Sequence, residues 1–67
     1  MKISARNAIP GKVEEVKMGV TTAHVRIDVG GTVVTAAITN EAVEDLGLTV
    51  GDEVRAIIKA SDVMVAK

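Results

Sequence analysis

Residues Thr21 to Val29, TTAHVRIDV, then Gly30-Gly31, then Thr32 to Ile38, TVVTAAI, limit the fold more than any other part of the chain. In the first segment Ala23, Val25, Ile27 and Val29 alternate with Thr22, His24, Arg26 and Asp28, the period of two of a strand with one buried face. The second segment is rich in β-branched residues, and the two glycines supply the positive φ angles of a tight connection. The pair predicts a β-hairpin.

The flanking segments extend this pattern. KVEEVKM continues a strand begun in ISARNAI, with Pro10-Gly11 between them, so the N-terminal strand is expected to be long and bent at that point. Within ISARN an extended backbone sets Ser4 and Arg6 on one face and Ile3 and Ala5 on the other. TNEAVEDLGL, Thr39 to Leu48, changes to helical spacing: Thr39 or Asn40 can cap, Glu41 and Glu44 suit the early turns, Val43 and Leu46 share a side, and Gly47 ends it. Val50-Gly51-Asp52 turns the chain into EVRAIIKA, and Ser61-Asp62 makes a turn before a final strand, VMVA. The order predicts an all-β chain: a small OB-fold barrel of five strands, with one short helix between strands 3 and 4, as one domain over residues 1–67.

A 67-residue chain buries too little of its surface to be stable alone without help. There is no cysteine for a disulfide, and the single histidine, His24, assembles no transition-metal centre within one chain. Yet 48% of the residues are hydrophobic and the mean hydropathy is +0.33, so the excess is expected in subunit contacts of a symmetric homo-oligomer. Phe, Trp and Tyr are absent, which leaves bases and flat organic cofactors only His24 and arginine planes to stack on. With a net charge of −1 and a pI near 5.7, this argues against a nucleic-acid partner. No apolar run approaches the roughly 18 residues of a membrane span, and no charged leader precedes an apolar core. The expected location is the cytoplasm.

Charge is unevenly distributed. Lys2, Arg6 and Lys12 precede the first acid, Glu14; Arg55 and Lys59 lie near the other end; Glu41, Glu44, Asp45, Asp52 and Glu53 fall between. A guanidinium beside a hydroxyl, as in Ser4 and Arg6, is half of an anion site, because arginine's planar fork suits oxyanions.

Four stretches, ISARN, the Pro-Gly bend before KVEEVKMG, ITNEAVEDLGL, and LTVGDEVRAIIKAS, together resemble the molbindins, or Mop proteins, small molybdate- and tungstate-binding domains of TOBE type. The resemblance covers nearly the whole chain and has no departure within the SARN or KAS motif. It implies an OB-type barrel, a homohexamer arranged as a trimer of dimers, and oxyanion sites between subunits. It places anion contacts on Ser4 and Arg6 of SARN and on Lys59, Ala60 and Ser61 of KAS. It also implies a second class of site on threefold axes near Val20, Thr21, Thr22 and His24.

The chemistry of these positions is consistent with that ligand. Molybdate and tungstate are tetrahedral dianions without a proton to donate at neutral pH, so a fitting site offers donors alone. Ser4, Arg6, Lys59 and Ser61 are donors, and a turn at Ala60-Ser61 can add main-chain N–H groups; Asp62 is the awkward neighbour, since a carboxylate aimed inward would repel the dianion. Thr39, at the expected helix start, is read first as a cap and second as a candidate anion donor, because helix N-termini collect negative charge. Glu14 and Glu15, adjacent in a strand, are expected to face opposite ways and so make no acid/base pair. Met18 and Met64 are expected to fill gaps in the barrel or an interface. Neither serine has a histidine near it in the sequence, so no catalysis is expected. The leading expectation is storage or buffering of molybdate or tungstate as bound ligand, with no organic cofactor, no membrane and no cationic metal. The alternatives are an OB-fold nucleic-acid-binding module and an anion sensor that regulates another protein.

Overall fold

The structure, a computed structural model, describes residues 2–67. Its elements run β1 (Asn7–Met18), β2 (Thr22–Asp28), β3 (Val33–Thr39), α1 (Asn40–Leu46) and β4 (Glu53–Ile58), followed by a single 3₁₀ turn, Ala60–Asp62. The strands form one antiparallel sheet in the order β3-β2-β1-β4. The hairpin is where the alternation puts it, with Ala23, Val25 and Ile27 buried and Thr22, His24, Arg26 and Asp28 exposed. Gly30 and Gly31 take φ of 95° and 96°, and the Asp28 carboxylate accepts from the Gly30 N–H at 3.0 Å.

β1 changes partner along its length. Asn7 to Lys12 pair with β4, and Lys12 to Met18 pair with β2. Pro10 therefore lies in a half-paired stretch, the setting in which a strand tolerates a residue without an N–H. Beside it, a Cβ on Gly11 would come 2.6 Å from the Asp28 carbonyl oxygen and 2.7 Å from Ile27 Cγ2, so only glycine permits this approach of β1 to β2. A bulge follows: Val13 matches Ile27, but Glu15 matches Arg26, leaving Glu14 as an extra residue. Glu14 and Glu15 are consequently both exposed instead of facing opposite ways, while Val13 and Val16, three apart, both turn inward.

The helix forms as expected. The Thr39 hydroxyl accepts from the Ala42 N–H at 3.0 Å, and the Gly47 N–H donates back to the Glu44 carbonyl at 3.0 Å. Val43 joins Val13, Ala23, Val25, Ile27 and Ala56 in the core. Leu46, expected on the same side, is instead 69% exposed.

Two expectations fail at the chain ends. Strand pairing starts only at Asn7, the last residue of ISARN; before it the chain bends at Ser4 and Ile3 is exposed. The fifth strand does not form: Val63, Met64 and Val65 are exposed by 50%, 93% and 91%. Met64 and the half-exposed Met18 thus fill no gap within the subunit. The physical reason is that a strand needs a hydrogen-bonding partner, and this arm does not lie along either open edge of its own sheet. Those edges, β3 and β4, face each other across an apolar groove of about 480 Å³ lined by Val34, Ala36 and Ile38 on one side and Val54, Ala56 and Ile58 on the other. The sheet curls as an OB barrel does but stays open along this seam.

The molecule is accordingly extended. It exposes 5285 Å², where a compact monomer of this mass exposes about 4,000 Å². Its radius of gyration is 12.3 Å, against about 11 Å for a compact chain of this length.

Candidate functional site

The β1–β4 ladder joins the two motifs that lie farthest apart in the sequence. Its last pair is Asn7 with Ile58, and the Asn7 side-chain Nδ2 donates to the Ile58 carbonyl at 3.1 Å. The same antiparallel count, carried past the end of the ladder, matches Arg6 with Lys59 and Ser4 with Ser61. Within one subunit, then, both segments leave the sheet at the same end of one ladder, SARN through a bend at Ser4 and KAS through the Ala60–Asp62 turn. The side chains of Ser4, Arg6, Lys59, Ala60 and Ser61 are all exposed.

The turn that carries Ala60 and Ser61 is built by its own backbone. The Asp62 N–H donates to the Lys59 carbonyl at 2.9 Å and the Val63 N–H to the Ala60 carbonyl at 3.3 Å. These bonds use the N–H groups of Asp62 and Val63, not those of Ala60 and Ser61. The ion pair present among the described residues is Arg26 Nε with Glu14 Oε2 at 3.9 Å, so neither Arg6 nor Lys59 is neutralised by a carboxylate. The segments that leave this end of the ladder carry two cations, two hydroxyls and the Ala60 and Ser61 main-chain N–H groups, donors of the kind an oxyanion without a proton takes, with the Asp62 carboxylate in the same turn. Among the described residues no three His, Asp or Glu side chains group as cation ligands do.

The secondary candidates lie elsewhere. Thr22 pairs with Thr39, and His24 lies between Lys17 and Ala37, at the end of the sheet where β1 finishes. The whole 12-residue β1 separates them from Ser4 and Arg6. Thr39, Val20, Thr21, Thr22 and His24 therefore do not join the first cluster within a subunit. All five are exposed, Val20 by 98%. The connection from Gly19 to Thr21 is held by Asn40, whose Nδ2 donates to the Gly19 carbonyl at 2.9 Å and the Val20 carbonyl at 3.3 Å, while its N–H donates to the Thr21 carbonyl at 2.8 Å.

Asn7 and Asn40 are the two positioning residues that sequence reasoning missed. Asn40 passed as an alternative helix cap, and Asn7 as the end of ISARN. Neither role has a sequence signal, because each amide reaches a backbone carbonyl distant in the chain.

Comparison with known proteins adds the following. The TOBE domain model matches residues 3–65. Molybdenum-pterin-binding protein 3 of Clostridium pasteurianum is 48% identical over 66 residues, covering 97% of both chains. The solved structure of a molybdate-binding protein from Sporomusa ovata superposes with a TM-score of 0.96 at 43% identity, covering 100% of both chains. The cytoplasmic molybdate-binding protein ModG, solved with molybdate bound, matches with a TM-score of 0.89 at 42% identity; this chain is covered to 96% and spans 46% of that one.

Proposed function

Since this chain belongs to the TOBE-domain family, among the small molybdenum-pterin-binding proteins, we propose that it binds molybdate and tungstate through Ser4, Arg6, Lys59, Ala60 and Ser61 and buffers them in the cytoplasm. The observation that carries this reading is the β1–β4 register, which brings SARN and KAS to one ladder end with their cations unpaired. Relatives and structural neighbours are named for molybdenum, molybdenum-pterin or molybdate binding, and ModG is described as cytoplasmic. Of molybdate and a pterin, the oxyanion suits this chain: a flat ring has no Phe, Trp or Tyr to stack on, whereas a dianion has the donors of SARN and KAS.

The working form is a homo-oligomer, on this reading a hexamer with anion sites at subunit contacts. The surface in excess of a compact monomer, about 1,300 Å², exceeds the roughly 800 Å² per partner of a standard interface. One exchange covers two exposed features together: the apolar arm from Val63 to Val65 of one copy enters the β3–β4 seam of a second and supplies the fifth strand. The Val20–His24 region and Thr39 form a second class of anion contact where copies meet.

Native mass spectrometry with and without sodium molybdate, followed by calorimetry with molybdate, tungstate and phosphate, tests the proposal. A hexamer that gains molybdate and ranks both metal oxyanions above hydrogen phosphate is expected. A compact monomer at micromolar concentration, or phosphate bound as tightly as molybdate, would overturn it.

A further inference from the structure

The donor turn and the exposed arm are consecutive in the chain. β4 is fixed up to Ile58, where Asn7 ties it to β1. Beyond that point Lys59 begins the 3₁₀ turn without any side-chain hydrogen bond capping it, and the turn is closed by its two backbone bonds alone. Ala60 and Ser61 thus have a firm anchor on the β4 side. On the other side they have whatever Val63, Met64 and Val65 touch, and in the single chain these residues are largely in solvent.

From this we infer that oxyanion binding and docking of the C-terminal arm are thermodynamically linked through the Ala60–Asp62 turn. The inference rests on the molybdate reading above and adds its regulation. When the arm is docked on a second copy, the turn is held at both ends and its donors are set before the anion arrives. When the arm is free, the anion must itself order the turn, and the conformational entropy lost there weakens binding. Coupling between two binding events is reciprocal, so an anion that binds better to the docked state strengthens docking by the same factor. Assembly tightens molybdate, and molybdate tightens assembly. A coupling of about tenfold lies within the usual range for two linked sites.

The turn also separates this link from simple charge neutralisation. Arg6 and Lys59 repel each other in the empty protein, and a dianion relieves that repulsion whether or not the arm is docked. A neutral change confined to the arm, Met64→Ser with Val65→Ser, weakens docking and leaves every proposed donor in place.

The test is a dilution series of the wild-type protein with sodium molybdate, reading assembly by analytical ultracentrifugation and affinity by calorimetry or equilibrium dialysis. Molybdate should lower the concentration at which the oligomer dissociates. Affinity should fall about tenfold as the protein passes from oligomer to monomer. Hydrogen exchange at residues 60–63 should slow on assembly alone and slow further with molybdate. The double variant should dissociate at higher concentration, bind weakly while monomeric, and recover affinity when concentrated. A dissociation concentration unmoved by molybdate would overturn the linkage; equal affinity in monomer and oligomer would overturn it together with the placement of the sites at subunit contacts, and in both cases molybdate binding itself would stand. A wild-type oligomer that binds no molybdate would overturn both the linkage and the functional proposal.

Discussion

The Asn7 amide donates to the Ile58 carbonyl across the last rung of the β1–β4 ladder, at 3.1 Å, immediately before the chain reaches Arg6 on one side and Lys59 on the other. This bond fixes how the two donor segments diverge. Asn7→Ala removes one part-buried hydrogen bond, worth about 1 kcal/mol, and should weaken molybdate about fivefold with the oligomer intact. Asn7→Asp should be worse, because a carboxylate would stand beside both the Ile58 carbonyl oxygen and the incoming dianion. Calorimetry on the two variants checks the order; a stronger Asp variant would contradict it.

The hairpin was legible because Thr21 to Val29 alternate without a break and Gly30-Gly31 admit positive φ. The helix was legible because Thr39 and Gly47 mark its ends. The bulge at Glu14 was hidden, since Val13 and Val16 break the period of two in a way that only the pairing with β2 explains. The failed fifth strand is different in kind. VMVA has strand composition, but composition does not say which edge a strand pairs with, and the arm lies along neither open edge of its own sheet. For the site, the residue types in SARN and KAS were visible from the start, whereas the Asn7 and Asn40 clamps depend on contacts 51 and about 20 positions apart.

Gly11 and Gly30 should respond differently to the same substitution. Gly11→Ala pushes a methyl group into the Asp28 backbone and the Ile27 side chain, and overpacking of this kind costs about 1–3 kcal/mol. Gly30→Ala meets nothing within 4 Å and suffers only from its φ of 95°, at about 1–2 kcal/mol. Asparagine, which tolerates positive φ, should recover much of the loss at position 30 and none at position 11. Urea midpoints compare the four variants, and recovery at both positions would refute the steric account of Gly11.

Asn40→Ala frees the carbonyls of Gly19 and Val20 from the helix start. Hydrogen exchange from Gly19 to Thr22 should accelerate, and stability should fall by about 1–2 kcal/mol. Molybdate affinity at the Ser4–Arg6 cluster should not change, because β1 separates the two regions. A loss of affinity there equal to that of Asn7→Ala would show that the two ends of the sheet are not independent.

The most direct measurement is a molybdate titration of the Arg6→Ala variant, with native mass spectrometry on the same sample. Deleting a charged, two-pronged donor costs about 1.5–3 kcal/mol, so binding should weaken roughly 10- to 150-fold. Lys59→Ala should fall near Arg6→Ala, and Ser4→Ala should lose only several-fold. The oligomer mass should be unchanged in all three, since these side chains are exposed donors and not core. Wild-type affinity in Arg6→Ala, accompanied by dissociation into monomers, would instead make Ser4 and Arg6 interface scaffolding and contradict the assignment of the site.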